Sequence, residues 1–305
     1  MEKILVIGST NMDIIALVDH LPVPGETVGN GRLARAHGGK GANQAVAAAR
    51  AGGDVTFITC VGDDDDGRKM VRGFDEDGIN TGQVSVIPGV SSGTALIFVD
   101  RKGENCIAVA PGANDHLSTA IIDRAEDHIA KADLILLQLE IPYQTIQHVC
   151  KTAVKHQRRV ILNPAPARPL DKDVLRSLEI LVLNETEAEI IGGKKVNDDN
   201  IEEVCRTIKG MGPGHIILTL GRRGSYVYDD HLHQFVDGFA VEPVDSTAAG
   251  DTFCGALAVS LVREDRDIIG SVRFANAAGA LSVTRQGAQT SIPDLKAIQQ
   301  FLANR

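Results

Sequence analysis

Ala248, Ala249 and Gly250 stand directly before Asp251 and an apolar stretch with helical spacing from about 252 to 262. A glycine turn feeding a helix presents unpaired N–H groups and the positive end of the helix dipole, which together can hold an anion. Asp251 has two readings there. It is a good N-cap, and it is also a carboxylate placed to take a proton beside a bound phosphoryl group. A second glycine turn, Gly38-Gly39-Lys40-Gly41-Ala42-Asn43, also enters a helical pattern. It is not a Walker loop, because Gly41 follows Lys40 and Ala34 stands where the first glycine is needed. Its glycines serve either close packing or backbone contact with a polar ligand, with Lys40 and Asn43 adding donors. The run Gly8-Ser9-Thr10-Asn11-Met12-Asp13 lacks G-x-G-x-x-G, which removes the main support for a dinucleotide fold. It offers Asn11 and Asp13 past the end of a strand, either as donor and acceptor for vicinal hydroxyls or as an Asx turn.

Three further segments follow predicted strands. Asn184-Glu185-Thr186-Glu187 opens a helix, so Asn184 is expected to cap it, and Glu187 stands where it could hold water on a phosphate–Mg²⁺ group. Thr219-Leu220-Gly221-Arg222-Arg223-Gly224 reads as a glycine-rich turn, and Glu140 ends its strand. Asn163-Pro164-Ala165-Pro166-Ala167 reads as a rigid loop without chemistry of its own. Cys254 is either a thiol activated at a helix start or a small buried hydrophobe.

The elements that must carry these residues alternate. Apolar strands are expected at 3–7, 54–61, 134–139, 159–162, 180–183 and 215–220, and helices at 43–51, 67–77, 143–156, 185–191 and 200–210. Continuous apolar strands between helices indicate a mostly parallel sheet covered on both faces, a three-layer α/β/α domain. Residues 14–36 and 93–110 break the rhythm with strand-like runs and turn signals, and are expected to form a small antiparallel sheet that acts as a lid over a cleft. No linker or repeat divides the 305 residues, so one domain is expected. A formal charge of −9, with no Trp, disfavours nucleic acid and anionic membranes as partners. Five cysteines without a C-x-x-C pair, and no signal or membrane-length apolar run, suit reduced thiols in a cytoplasmic protein.

Taken in order from about residue 3 to 293, these segments resemble the ribokinase-like (PfkB-type) sugar kinases. The run 38–48, Gln138-Leu139-Glu140, 163–167 and Thr284-Arg285-Gln286-Gly287-Ala288-Gln289 add to the resemblance. It implies transfer of the ATP γ-phosphoryl group to the 5-hydroxyl of D-ribose. It implies sugar contacts from Asn11, Asp13, Gly39, Lys40, Gly41, Asn43 and Glu140, and ATP contacts from Asn184, from Thr219 through Gly224, and from Asn276. Glu187 would order Mg²⁺-bound water, Ala248, Ala249, Gly250 and Asp251 would form an anion hole, and Asp251 would be the base. A monovalent cation, K⁺ by preference, would sit at Asp245, Thr247, Ser282, Arg285, Gly287 and Ser291. The resemblance also implies a homodimer through the lid sheet. Met12 is bulky for its place and, if turned into the sugar pocket, would favour a deoxypentose. Another pentose or nucleoside kinase and a catalytically silent sugar-binding regulator are the alternatives.

Overall fold

The computed structural model describes residues 3–263 and 267–305. Thirteen strands alternate with helices among them. They are β1 Lys3–Ile7, β2 Asn11–Leu17, β3 Arg32–Gly38, β4 Asp54–Gly62, β5 Val84–Ile87, β6 Gly93–Val99, β7 Asn105–Ala110, β8 Leu134–Leu137, β9 Arg159–Leu162, β10 Ile180–Asn184, β11 His215–Thr219, β12 Gly224–Tyr228 and β13 His233–Asp237. Nine of them form one sheet in the order β13-β12-β11-β10-β9-β8-β1-β4-β5. The pairings from β11 through to β5 are parallel, and only the β11-β12-β13 edge is antiparallel.

The apolar strands explain the layers. Successive side chains of a strand point to opposite faces. Ile4 and Val6 of β1 therefore join one buried cluster with the helices Lys40–Arg50, Ala249–Leu261 and Ile268–Ser282. Leu5 and Ile7 join a second cluster with Tyr143–Lys155 and Ile201–Lys209 on the other face. The chain builds outward in both directions from β1, which lies between β4 and β8. The strand ends at that reversal are where open α/β sheets hold ligands.

The remaining four strands form a separate sheet in the order β3-β2-β6-β7. It is not wholly antiparallel as expected. The outer pairs are, but β2 and β6 run parallel, because each enters the sheet from the same side of the body. Asp100 turns the β6–β7 hairpin by accepting from the N–H groups of Lys102 and Glu104. Several element bounds also differ, two of them for reasons that bear on the site. The helix expected at 43–51 begins at Lys40, because a carboxylate from elsewhere in the chain accepts from its first N–H. The strand expected to reach 139 stops at Leu137, after which the Gln138 side chain turns into the interior.

Candidate active site

Asp251 is the third residue of the helix Ala249–Leu261, and Ala248, in the left-handed conformation at φ 59°, takes the cap position. The N-cap reading of Asp251 is therefore corrected: its carboxylate bonds outside the helix. Asn43 Nδ2 donates to Oδ2 at 3.0 Å and Gln44 Nε2 donates to Oδ1 at 2.9 Å. Ala249 N–H bonds to Ser246 O at 3.2 Å. Among the described residues the N–H groups of Gly250 and Asp251 find no acceptor, as the open end of a helix requires. A Cβ built on Gly250 would meet no atom within 4 Å, so this glycine faces open space.

Packing brings the two helices close enough for those amide bonds. Gly255 lies one turn after Asp251, and a Cβ there would stand 2.5 Å from Gln44 O and 2.7 Å from Ala48 N. The facing helix is rich in small residues, Ala42, Ala45, Ala47 and Ala48 among them. Its start is equally tight. Gly39 has φ 88°, and a Cβ there would lie 2.7 Å from Thr10 Cα. Glu140 Oε2 accepts from the first helical N–H, that of Lys40, at 3.0 Å and from Ser9 Oγ at 2.6 Å. Glu140 thus supplies the negative charge that Gly39 cannot at a helix N-terminus. Gly41 is buried against Gly8 and Ser9 and donates to Ser9 Oγ at 3.3 Å, so packing accounts for it.

Burial raises the pKa of Asp251 above the ordinary carboxylate range, while Lys40 and the two amide donors oppose the rise. The unperturbed value does not apply. Burial alone would lower the pKa of Lys40, but Asp251, Glu140 and Glu187 around it outweigh burial and raise it. Lys40 is therefore the cation among three carboxylates. Cys254 is fully buried, and desolvation raises its thiol pKa well above normal, so it is the inert hydrophobe and not the activated thiol.

Asn11 and Asp13 lie within β2 itself, on one face, Asn11 opposite Gly38 of β3 and Gly93 of β6, and Asp13 opposite Ala36 and Ala95. The Asp13 carboxylate folds over Gly38, where a Cβ would meet it at 2.3 Å. Burial and the nearby Glu140 raise the Asp13 pKa to about 7. Asn114 fixes its neighbour. Its Oδ1 accepts from Thr10 N at 2.9 Å, and its Nδ2 donates to Thr10 O at 3.1 Å and to Asn11 Oδ1 at 2.7 Å. The Nδ2 of Asn11 is left as the outward donor. Met12 alternates to the opposite face and is buried in the cluster that contains Met70 and Phe74. It does not enter the pocket beside Asn11 and Asp13, which removes the reason to expect a deoxypentose from its bulk.

A cleft of about 510 Å³ leads from Asp251 and Gly250 past Lys40 and Glu187 to Asn184, Thr219 and Gly221. Asn184 caps its helix in a capping box: its side chain accepts from Glu187 N, and Glu187 Oε2 accepts from Asn184 N at 2.9 Å. Burial raises the Glu187 pKa, and its second oxygen remains for a ligand. Leu220 is buried and Gly224 starts β12. Arg222 is exposed at the turn, and Arg223 pairs with Asp198 and Glu185. Asn276 does not line this cleft. It accepts from Ser225 Oγ at 2.8 Å and donates to Val236 O at 3.1 Å, tying the helix Ile268–Ser282 to the sheet edge. The loop before the helix is held separately. Asp245 accepts from Thr247 N–H and Oγ1 and, across to the second loop, from Gly287 N–H at 2.9 Å. Ser282 and Ser291 are buried alongside, and Arg285 is exposed. Sequence reading missed Ser9, Gln44, Asn114 and Gln138 as site residues. They touch other side chains rather than open space, and only buried polar residues in apolar surroundings could have hinted at them.

The profile of the pfkB family carbohydrate kinases matches residues 1–295. The chain is 40% identical to the ribokinase of Haemophilus influenzae over 302 residues, covering 99% of this chain and 98% of that one. It is 39% identical to the deoxyribokinase of Salmonella typhimurium over 304 residues, covering 98% of both. The structure of Arabidopsis thaliana ribokinase complexed with ribose and ATP superposes with a TM-score of 0.88 at 30% identity, covering 99% of this chain and 98% of that one. The chain belongs to the pfkB family of carbohydrate kinases. Among the described residues, no helix is long and apolar enough to cross a membrane.

Proposed function

We propose that this carbohydrate kinase phosphorylates the 5-hydroxyl of D-ribose, giving D-ribose 5-phosphate and ADP. The observation that carries the reading is the meeting of two half-sites at one carboxylate. Asn11 and Asp13 stand on the small sheet, and Glu140, after β8, acts electrostatically on both Asp13 and Asp251. The cleft past Glu187 and Asn184 reaches Asp251 from the other side. Asn11 donates to and Asp13 accepts from sugar hydroxyls, with Asn43 and the Gly39 backbone beside them.

Phosphoryl transfer asks for alignment and neutralisation of charge more than covalent catalysis. Asp251 takes the proton of the attacking hydroxyl as its oxygen bonds to the γ-phosphorus and the bond to ADP breaks. The N–H groups of Gly250 and Asp251 face the charge that develops on the phosphoryl oxygens. Lys40 offsets the nearby carboxylates. Asn184 with Thr219 and Gly221 binds the nucleotide. The free Glu187 oxygen suits a water of Mg²⁺, an ion that keeps several waters and supplies charge neutralisation when bound. The single carboxylate of Asp245, with backbone carbonyls of the two loops it ties together, suits a monovalent cation such as K⁺ that stiffens the anion hole.

A homodimer through the small sheet is part of the proposal. One face carries exposed Leu17, Ile107 and Val109 and the other exposed Leu33, Leu96 and Phe98, and a four-stranded sheet with two apolar faces is marginal unless covered. The deciding experiment is kcat/KM for ribose, 2-deoxyribose, fructose and adenosine under one condition. Ribose is expected to lead. A higher value for 2-deoxyribose would assign the deoxypentose reading, and no sugar-dependent turnover would reduce the protein to a binding module.

A further inference from the structure

Two buried glutamines stand behind the carboxylate. Gln44 and Gln138 are both fully buried. An ionised Asp251 only accepts, so Gln44 must present Nε2 to it. The same Nε2 donates to Asn163 Oδ1 at 3.3 Å, while Asn163 Nδ2 is taken by Val182 O at 3.1 Å. From the far side, Gln138 Nε2 donates to Gln44 Oε1 at 2.6 Å. Each amide orientation therefore follows from the next, starting from the carboxylate. The chain ends on Gln138 Oε1, a buried acceptor without a partner among the described residues. Buried polar groups are seldom left so, and turning this amide would lose the bond to Gln44.

The two oxygens of Asp251 are consequently unequal. Oδ1 is gripped by an amide that is fixed at both ends. Oδ2 receives only Asn43, whose own Oδ1 has no partner to anchor it from behind. We propose that Gln44, held in orientation by Gln138, is a positioning residue that fixes Asp251 with Oδ2 toward the acceptor hydroxyl and keeps the carboxylate ready to take its proton. This rests on Asp251 as the base. Burial works against that role, and a hydrogen bond to the charged form works for it. Lys40 and Asn43 from the same helix, Glu140 after β8, Glu187 and Cys254 are the other groups facing Asp251.

The test is the pH profile of kcat for Gln44→Met, Gln138→Met and Asp251→Asn, with ribose and ATP as substrates and binding of both followed by calorimetry. Methionine keeps the volume and removes the donor. Gln44→Met is expected to lower kcat at neutral pH about tenfold and to move its acid limb up by about one pH unit, with both KM values within threefold of wild type. Gln138→Met, which does not touch Asp251, is expected to move the limb the same way by less. A purely structural role would lower thermal stability and leave the limb in place. An unmoved acid limb in Gln44→Met, with Asp251→Asn inactive, overturns the proposal and spares the base. If Gln44→Met does not fold, an unmoved limb in Gln138→Met overturns it. If Asp251→Asn keeps kcat within threefold of wild type, the base assignment fails and this proposal with it.

Discussion

Two glycines in one helix should respond to the same methyl group in opposite ways. Gly250 and Gly255 both have helical backbone, so alanine is conformationally allowed at each and favoured over glycine by roughly 0.5–1 kcal/mol. At Gly250 the new methyl meets no protein atom within 4 Å, so that preference is the whole effect on stability. For 305 residues it corresponds to a rise in Tm of about 1 °C. The same methyl enters the space where we place the phosphoryl group. Displacing it from the helix-end donors should lower kcat by about 10²–10³-fold, the loss typical of one oxyanion donor. At Gly255 the methyl would sit 2.5–2.7 Å from Gln44 O, Ala47 Cβ and Ala48 N. Those neighbours are mostly backbone and cannot step aside singly, so the helices must part. Overpacking of this kind costs about 1–3 kcal/mol, which outweighs the helix preference and should lower Tm by roughly 1–4 °C. Parting the helices also lengthens the bonds from Asn43 and Gln44 to Asp251, so activity falls here as well. The assay is scanning calorimetry beside steady-state kinetics on ribose and ATP. Gly250→Ala with kcat and both KM values within threefold of wild type would mean that no ligand occupies the space before the helix. A lower Tm for Gly250→Ala than for Gly255→Ala would refute the packing argument.

Asp251→Asn should lower kcat by about 10²–10⁴-fold with Tm at or above wild type, since a buried charge is removed and the unpartnered Asn43 Oδ1 can turn to accept the new amide; a clear loss of Tm would show the carboxylate to be structural. Asp13 holds its proton more tightly folded, to about pH 7, than unfolded, to about 3.9, so its contribution is fully present below the unfolded value and is lost as pH rises toward 7. Asp13→Asn should therefore gain Tm relative to wild type between pH 5 and pH 8, and parallel Tm curves would place Asp13 in water. Replacing K⁺ by a large organic cation at constant ionic strength should lower activity without unfolding the protein, and unchanged rates would remove the cation site at Asp245. Sedimentation at micromolar concentration should give a dimer, and Leu96→Lys together with Ile107→Lys should give a monomer; a fully active wild-type monomer would leave the small sheet's apolar faces without this explanation.

The alternation of apolar strands with helices was enough to read the three layers from the chain alone, because the central strands β1, β8, β9, β10 and β11 send apolar side chains to both faces of the sheet and the helices pack over those faces. The glycine turns were legible from local pattern as well: Gly39 and the Ala248-Ala249-Gly250 run each announce a helix start, although only Gly250 faces open space while Gly39 is packed against Thr10. The role of Asp251 at that start was not decided locally. Sequence proximity offered it as a cap, and only the approach of a second helix more than 200 residues earlier in the chain, permitted by Gly255, turned its carboxylate toward Asn43 and Gln44. The face of Met12, the fixing of Asn11 by Asn114 and the parallel pairing of β2 with β6 depend in the same way on contacts between distant segments. Local pattern specifies which residues form an element and which side of it is apolar. It carries no information on which polar side chain of another element will meet a given oxygen, because that is set by how closely two packed surfaces can approach.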